Sequence, residues 1–305
     1  MQLPIRLGIG LSVALTCGMA IGQTQPWRGA PAGPPRPAQS QPPSIQQRPQ
    51  APPAGAPFQL TPQQQQHLDQ VLKQWEQRSD RVKTFGCEFI RWEYDPVFGS
   101  ADQPRFIDRG EIKYAAPDRG LFRVIDSRQG DKMAPVEDER AEHWVCDGKA
   151  IYQFDYVKKQ VVEHRLPPEK QGKAIAEEGP LPFLFGAEAE KLKQRYFLRI
   201  VTPKEVQQKQ IWLEAYPRFR QDAANFARAE FVLTADELKP FALQIYAPNR
   251  KNRTVYQFRE INVNDPLAFL RGNPFLVVTP WNWQKVVEEV PTEQARNPSP
   301  SGATR

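Results

Sequence analysis

The sequence lacks the short signatures that usually announce chemistry. It has no GxSxG elbow, no HExxH pair, no CxxC and no glycine-rich phosphate loop. That sets aside the hydrolases, zinc proteases, thiol oxidoreductases and nucleotide-binding proteins such motifs mark. Histidine occurs only three times. His67 lies in the polar part of a predicted helix, and His143 and His164 fall on two strands that flank a third. They would make a two-histidine site only with a carboxylate such as Asp155 or Glu163; the other reading is a pair of partly exposed strand histidines. Carboxylate pairs for glycoside hydrolysis meet in space rather than in sequence, and nothing singles one out. No catalytic residue, metal or cofactor is therefore expected. Basic residues are interleaved with acidic ones, so a net charge of +6 forms no stripe for nucleic acid, and no nucleic-acid partner is expected. Beyond the first 22 residues no stretch is long and apolar enough for a transmembrane helix. Cysteine is scarce too. Apart from Cys17 near the start there are Cys87 and Cys146, which form either a disulfide or two separate buried thiols.

Residues 1–22 read as a signal peptide. Arg6 supplies the positive start, Leu7 to Leu15 the short apolar core, and Ala20 and Gly22 the small residues of a cleavage site before Gln23. The residues ahead of Cys17 suit lipid attachment poorly, so soluble export, periplasmic or secreted, is expected. Residues 23–58 are rich in Pro and Gln, with few large apolar side chains, and should form a disordered linker. A single domain is expected over 59–290, followed by a disordered tail over 291–305.

Within that domain Thr61-Pro62-Gln63-Gln64 is a capping-box start, and Leu68, Val71, Leu72 and Trp75 make one apolar stripe of a helix. Period-two patterns then predict about eleven strands. Three of them run through Glu142 to Leu166. Asp147-Gly148 reads there as the centre of a type I′ turn and Lys158-Lys159 as a second turn. Tyr152, Phe154 and Tyr156 share a face. In the first strand Phe85, Cys87 and Phe89 share one face and Ile90, Trp92 and Tyr94 the other, which implies a bulge or two covered faces. Ser127 to Glu139 reads as a charged loop, and Phe275 to Trp283 as a last strand or a strap. Pro180 and Pro182 deny two backbone donors to the apolar segment around Leu181, Phe183 and Phe185, which is expected to be a lid rather than a buried strand.

The order of these pieces resembles a family. A leader and an amphipathic helix precede TFGCEFIRWEY. Next come Gly110, Ile112, Tyr114 and Pro117 as G-x-I-x-Y-x-x-P, then WVCDGKAIYQFD, LPFLFGA and a closing TVYQFREINVN. This is similar to the LolA-like periplasmic lipoprotein carriers over about residues 60–264. The resemblance implies a mainly β (α+β) fold, a strongly curved antiparallel half-barrel with an N-terminal helix and lid helices. It implies a monomer that binds a lipid or an acylated protein and meets envelope membrane proteins. Candidates for the apolar lining are Trp92, Tyr114, Phe122, Tyr152, Phe154, Leu181, Phe183, Phe185, Phe231 and Phe258. Those carriers have an arginine just before the proline that ends the second strand; here that residue is Ala116. The alternative is an envelope scaffold with a filled core, tethered by the linker.

Overall fold

The computed structural model describes residues 55–172, 188–267 and 272–289. The leader with Cys17, nearly all of the linker, the segment with Leu181, Phe183 and Phe185, and the tail lie outside the described residues. Helix α1 spans Pro62–Ser79. The strands are β1 (Thr84–Tyr94), β2 (Phe106–Ala115), β3 (Arg119–Gln129), β4 (Lys132–Pro135), β5 (His143–Cys146), β6 (Ala150–Asp155) and β7 (Gln160–Arg165). A 3-10 turn at Pro168–Lys170 and helix α2 (Ala189–Arg195) follow. The chain continues through β8 (Tyr196–Ile200), β9 (Gln210–Pro217), helix α3 (Arg220–Ala223), β10 (Arg228–Thr234), β11 (Pro240–Tyr246), β12 (Arg253–Val263) and β13 (Gln284–Glu289).

All the strands join one curved, unclosed sheet in the order β13-β7-β6-β5-β3-β2-β1-β12-β11-β10-β9-β8, with β4 beside β3. Pairing is antiparallel except between β13 and β7, which run parallel. The curved, mainly β architecture expected from the sequence is what is seen. Two strands are additional. β4 lies inside the supposed charged loop, where it folds back on β3. β13 follows the 272–283 segment, which is itself a strap without strand pairing.

Helix α1 starts as its sequence dictates. Thr61 Oγ1 accepts the Gln64 N–H at 3.3 Å, and Gln64 Oε1 accepts the Thr61 N–H at 2.9 Å. Leu68, Val71, Leu72 and Trp75 are its buried side chains, and the Trp75 ring lies 5.2 Å from that of Phe231. The sheet thus has a helix face, where the main core forms, and an opposite face. There a smaller core of Leu121, Val145, Phe154 and Val161 is closed by Phe275 of the strap. Two covered faces explain why aromatic residues occur at both parities of a strand. β1 also carries the expected irregularity: its register against β12 shifts between Gly86 and Glu88.

The β5–β6 turn differs from expectation. The Asp147 N–H bonds the Ala150 carbonyl at 3.2 Å, so Gly148 and Lys149 are the central pair. Only Gly148 has positive φ, 93°. That is the type II′ pattern, with Asp147 Oδ1 accepting the N–H groups of Lys149 and Ala150. The side-chain acceptor, rather than a second positive φ, holds the turn. Gly148→Val is expected to cost about 1–3 kcal/mol, read as a lowered midpoint in a chemical melt; an unchanged midpoint would remove the turn's role in setting register.

Candidate functional site

On the helix face an aromatic row crosses the middle of the sheet. Tyr256 of β12 meets Phe89 of β1 edge-on at 5.5 Å. Phe89 stacks on Phe122 of β3 at 5.1 Å, and Phe122 on Trp144 of β5 at 5.9 Å. The row passes over β2 because Gly110 stands there without a side chain. A Cβ at that position would lie 2.3 Å from Phe89 Cζ and 2.2 Å from the Arg123 carbonyl oxygen. Phe89 and Phe122 are fully buried, while Trp144 is half-buried. Its indole nitrogen is nevertheless buried and meets no acceptor among the described residues. A buried N–H without a partner costs free energy.

Beside this row sits a buried ionic cluster. Arg91 of β1 is 2 % exposed. Its Nη2 lies 2.8 Å from Asp108 Oδ2, its Nη1 2.6 Å from Glu142 and its Nε 3.2 Å from Glu93. Burial alone would lower the guanidinium pKa, but Glu142, Tyr256, Glu93 and Asp108 outweigh it and hold Arg91 charged. Asp108 Oδ1 has no hydrogen-bond partner among the described residues; Arg140 Nη1 lies 3.8 Å from it.

The lining residues expected from the sequence do not form one surface. Phe122, Phe231 and Phe258 belong to the main core on the helix face, and Tyr114 packs against it. Tyr152 and Phe154 lie on the opposite face under the strap, with Trp283 6.3 Å from Phe154. Trp92 is half-buried and, one residue from Arg91, points away from the helix face. Leu181, Phe183 and Phe185 lie outside the described residues. Phe89, Trp144 and Tyr256 were missed, although Phe89 shares strand parity with Phe85 and Cys87, and Trp144 with Cys146. A cleft of about 270 Å³ lies over β1 and β2, lined by Glu88, Phe89, Ile90, Ile107, Asp108, Arg109, Met133 and Arg259, and so borders both the aromatic row and the ionic cluster.

The two cysteines are free and buried. β2 and β3 separate their strands, which puts them roughly 14 Å apart at the usual strand spacing, beyond disulfide reach. Burial raises both thiols, Cys146 to about 12, so both are inert.

The two histidines do not meet either. Val145, Tyr152 and Glu163 are paired across β5, β6 and β7. His143 therefore shares their face and His164 takes the other. His164 pairs with Glu288 at 3.3 Å, and Glu163 is held by Lys285 at 2.6 Å and Arg165 at 3.0 Å. Asp155 accepts the Lys158 N–H, and His67 is exposed. Among the described residues no group of three or more His, Cys, Asp or Glu is placed to hold a metal.

His143 instead stacks on Phe154 at 3.9 Å, with its Nδ1 3.0 Å from the Tyr156 hydroxyl. Burial, aided by Arg123 and opposed by Glu111, lowers its pKa from 6.5 to about 4. Below 6.5 the unfolded chain takes up a proton that the folded one refuses. The contribution of His143 is complete above pH 6.5 and is lost as pH falls toward 4, about 3 kcal/mol in all. His143→Phe should flatten stability across that window in urea melts; an equally steep acid limb would show that other groups cause it.

No family model matches the chain, and no curated protein does. Solved structures do. One is an uncharacterized conserved protein from Thermus thermophilus, at 12 % identity and a TM-score of 0.40, over 72 % of this chain and 98 % of that one. The chain is similar to a LolA superfamily protein. That protein is from Nitrosomonas europaea, at 9 % identity and a TM-score of 0.31, over 67 % of this chain and 99 % of that one. Another is a putative outer membrane lipoprotein-sorting protein domain from Vibrio parahaemolyticus, at 10 % identity and a TM-score of 0.30, over 65 % of this chain and 93 % of that one.

Proposed function

We propose that the protein is exported and binds a hydrophobic ligand, a lipid or an acylated protein, on the helix face of its sheet. The observation that carries this is the end of the aromatic row. Trp144, half-buried and stacked on the buried Phe122, offers apolar ring area, and its buried N–H has no described acceptor. An acyl chain with an ester or amide carbonyl satisfies both: the chain packs on the rings and the carbonyl accepts the N–H. Phe89, Tyr114, Phe122, Phe258 and Trp144 are the lining in this reading. Leu181, Phe183 and Phe185 are its proposed lid, while Trp92, Tyr152 and Phe154 are not part of it. The signal-like start at 1–22, cleaved before Gln23, supports export, and the 23–58 linker frees a domain that begins near residue 59.

Mass spectrometry of protein extracted under native conditions tests the proposal. A co-purifying lipid or acylated protein is expected, and Trp144→Phe should reduce its occupancy without lowering the melting midpoint. A second reading, a scaffold with a filled core, draws on the complete burial of Phe89 and Phe122. An empty protein that also fails to bind an apolar dye would favour the scaffold.

A further inference from the structure

The strap brings a second, unrelated set of side chains together. Its residues alternate. Phe275 is buried and Val277 packs with it against the smaller core, whereas Leu276 and Val278 are 69 % and 68 % exposed. The strap then turns at Pro280, whose carbonyl accepts the Trp283 N–H at 3.1 Å, with Asn282 at a φ of 67°. This turn lifts Trp281 into solvent at 90 % exposure. Trp283 anchors the base of the turn, its ring edge-on to Tyr156 at 5.1 Å. The next residue, Gln284, donates its N–H to the Lys159 carbonyl at 2.9 Å. The strap turn and the β6–β7 turn are therefore neighbours. From the second turn Val157 is 59 % exposed, and the Lys158 and Lys159 side chains are exposed as well. Lys158 lies 3.2 Å from Asp155, which offsets part of its charge.

We propose that this corner, Trp281 with Val157, Lys158 and Lys159, docks on the surface of an anionic lipid bilayer. Charge complementarity argues for that occupant, since two exposed lysines stand on the neighbouring turn and the chain as a whole is at +6. The side-chain types agree. Tryptophan has an apolar ring with one polar edge and settles at the membrane interface, and lysine stems lie along apolar surface while their ammonium groups reach phosphates. Trp281 projects from a convex turn rather than lining a groove, so a soft surface receives it without a matching pocket. The corner lies away from the aromatic row, on the strap side, so its docking does not depend on what the helix face binds.

Co-sedimentation of the purified full chain, as processed by the cell, with phosphatidylcholine vesicles with and without phosphatidylglycerol tests this. Binding is expected only with the anionic lipid. Trp281→Ser should weaken it about ten-fold, the loss expected for one buried large side chain. Lys158→Gln and Lys159→Gln should each weaken it about five-fold. Brominated lipid should quench part of the tryptophan emission, and Trp281→Phe should bind while losing that quenched part. Should Trp281→Ser melt earlier than the parent, Trp281→Phe decides alone. No binding by the parent chain, equal binding by Trp281→Ser at an unchanged melt, or unchanged quenching in Trp281→Phe would each overturn the proposal.

Discussion

Gly110→Ala is expected to destabilise the protein by at least about 3 kcal/mol, the upper range for an overpacked core. The reason is distance, not dihedral: the new methyl would sit 2.2 Å from the Arg123 carbonyl oxygen and 2.3 Å from Phe89 Cζ. The ring can turn aside, but the carbonyl belongs to β3 and moves only if the β2–β3 ladder opens. That ladder is already irregular here, its register shifting between Arg109 and Gly110. A thermal melt followed by far-UV circular dichroism reads the effect. The double variant Gly110→Ala/Phe89→Leu should recover part of the loss, because the two sites share one space. A Gly110→Ala protein that melts with the parent would mean that β2 does not approach β3 and Phe89 this closely.

Arg91→Met should cost about 3–5 kcal/mol, the usual penalty for removing one partner of a buried ion pair. Methionine fills much of the volume, so the loss isolates charge from packing. It leaves Asp108, at 2 % exposure, and the half-buried Glu142 without the cation that faces both. Arg91→Met/Asp108→Asn should be more stable than Arg91→Met alone. A double variant no more stable than Arg91→Met alone would show that packing, not charge, is what Arg91 supplies.

Much of this fold was legible in the sequence because each strand carries its own alternation. All eleven strands read from the pattern are present, as are the capping box of α1 and both turns of the central meander. β4 was invisible because four residues, KMAP, are too few to show a period. β13 was invisible because QKVVEE reads as a polar tail until β7 is there to receive it. The site was less legible for a different reason. Alternation says which residues of one strand share a face, but not which face of the next strand is the same one; only the pairing register says that. Tyr152 and Phe154 were therefore grouped with Phe122, although the sheet lies between them. Arg91 was hidden for a related reason. Nothing local distinguishes a buried arginine from an exposed one, since the carboxylates that hold it come from residues 108 and 142.

A ribosome finishes β1 long before its partner β12 exists. Asn264, just beyond β12, reaches back 181 residues to accept the Lys83 N–H, and β13, made last of all, covers the outer edge of β7. No length of this chain that stops short of β13 has all the described strands of the sheet. At each stage of synthesis β1 or β7 presents a row of unpaired backbone groups to whatever lies nearby. Pairings this distant in sequence fold slowly, and until they form, the open edges of β1 and β7 are exposed to wrong partners.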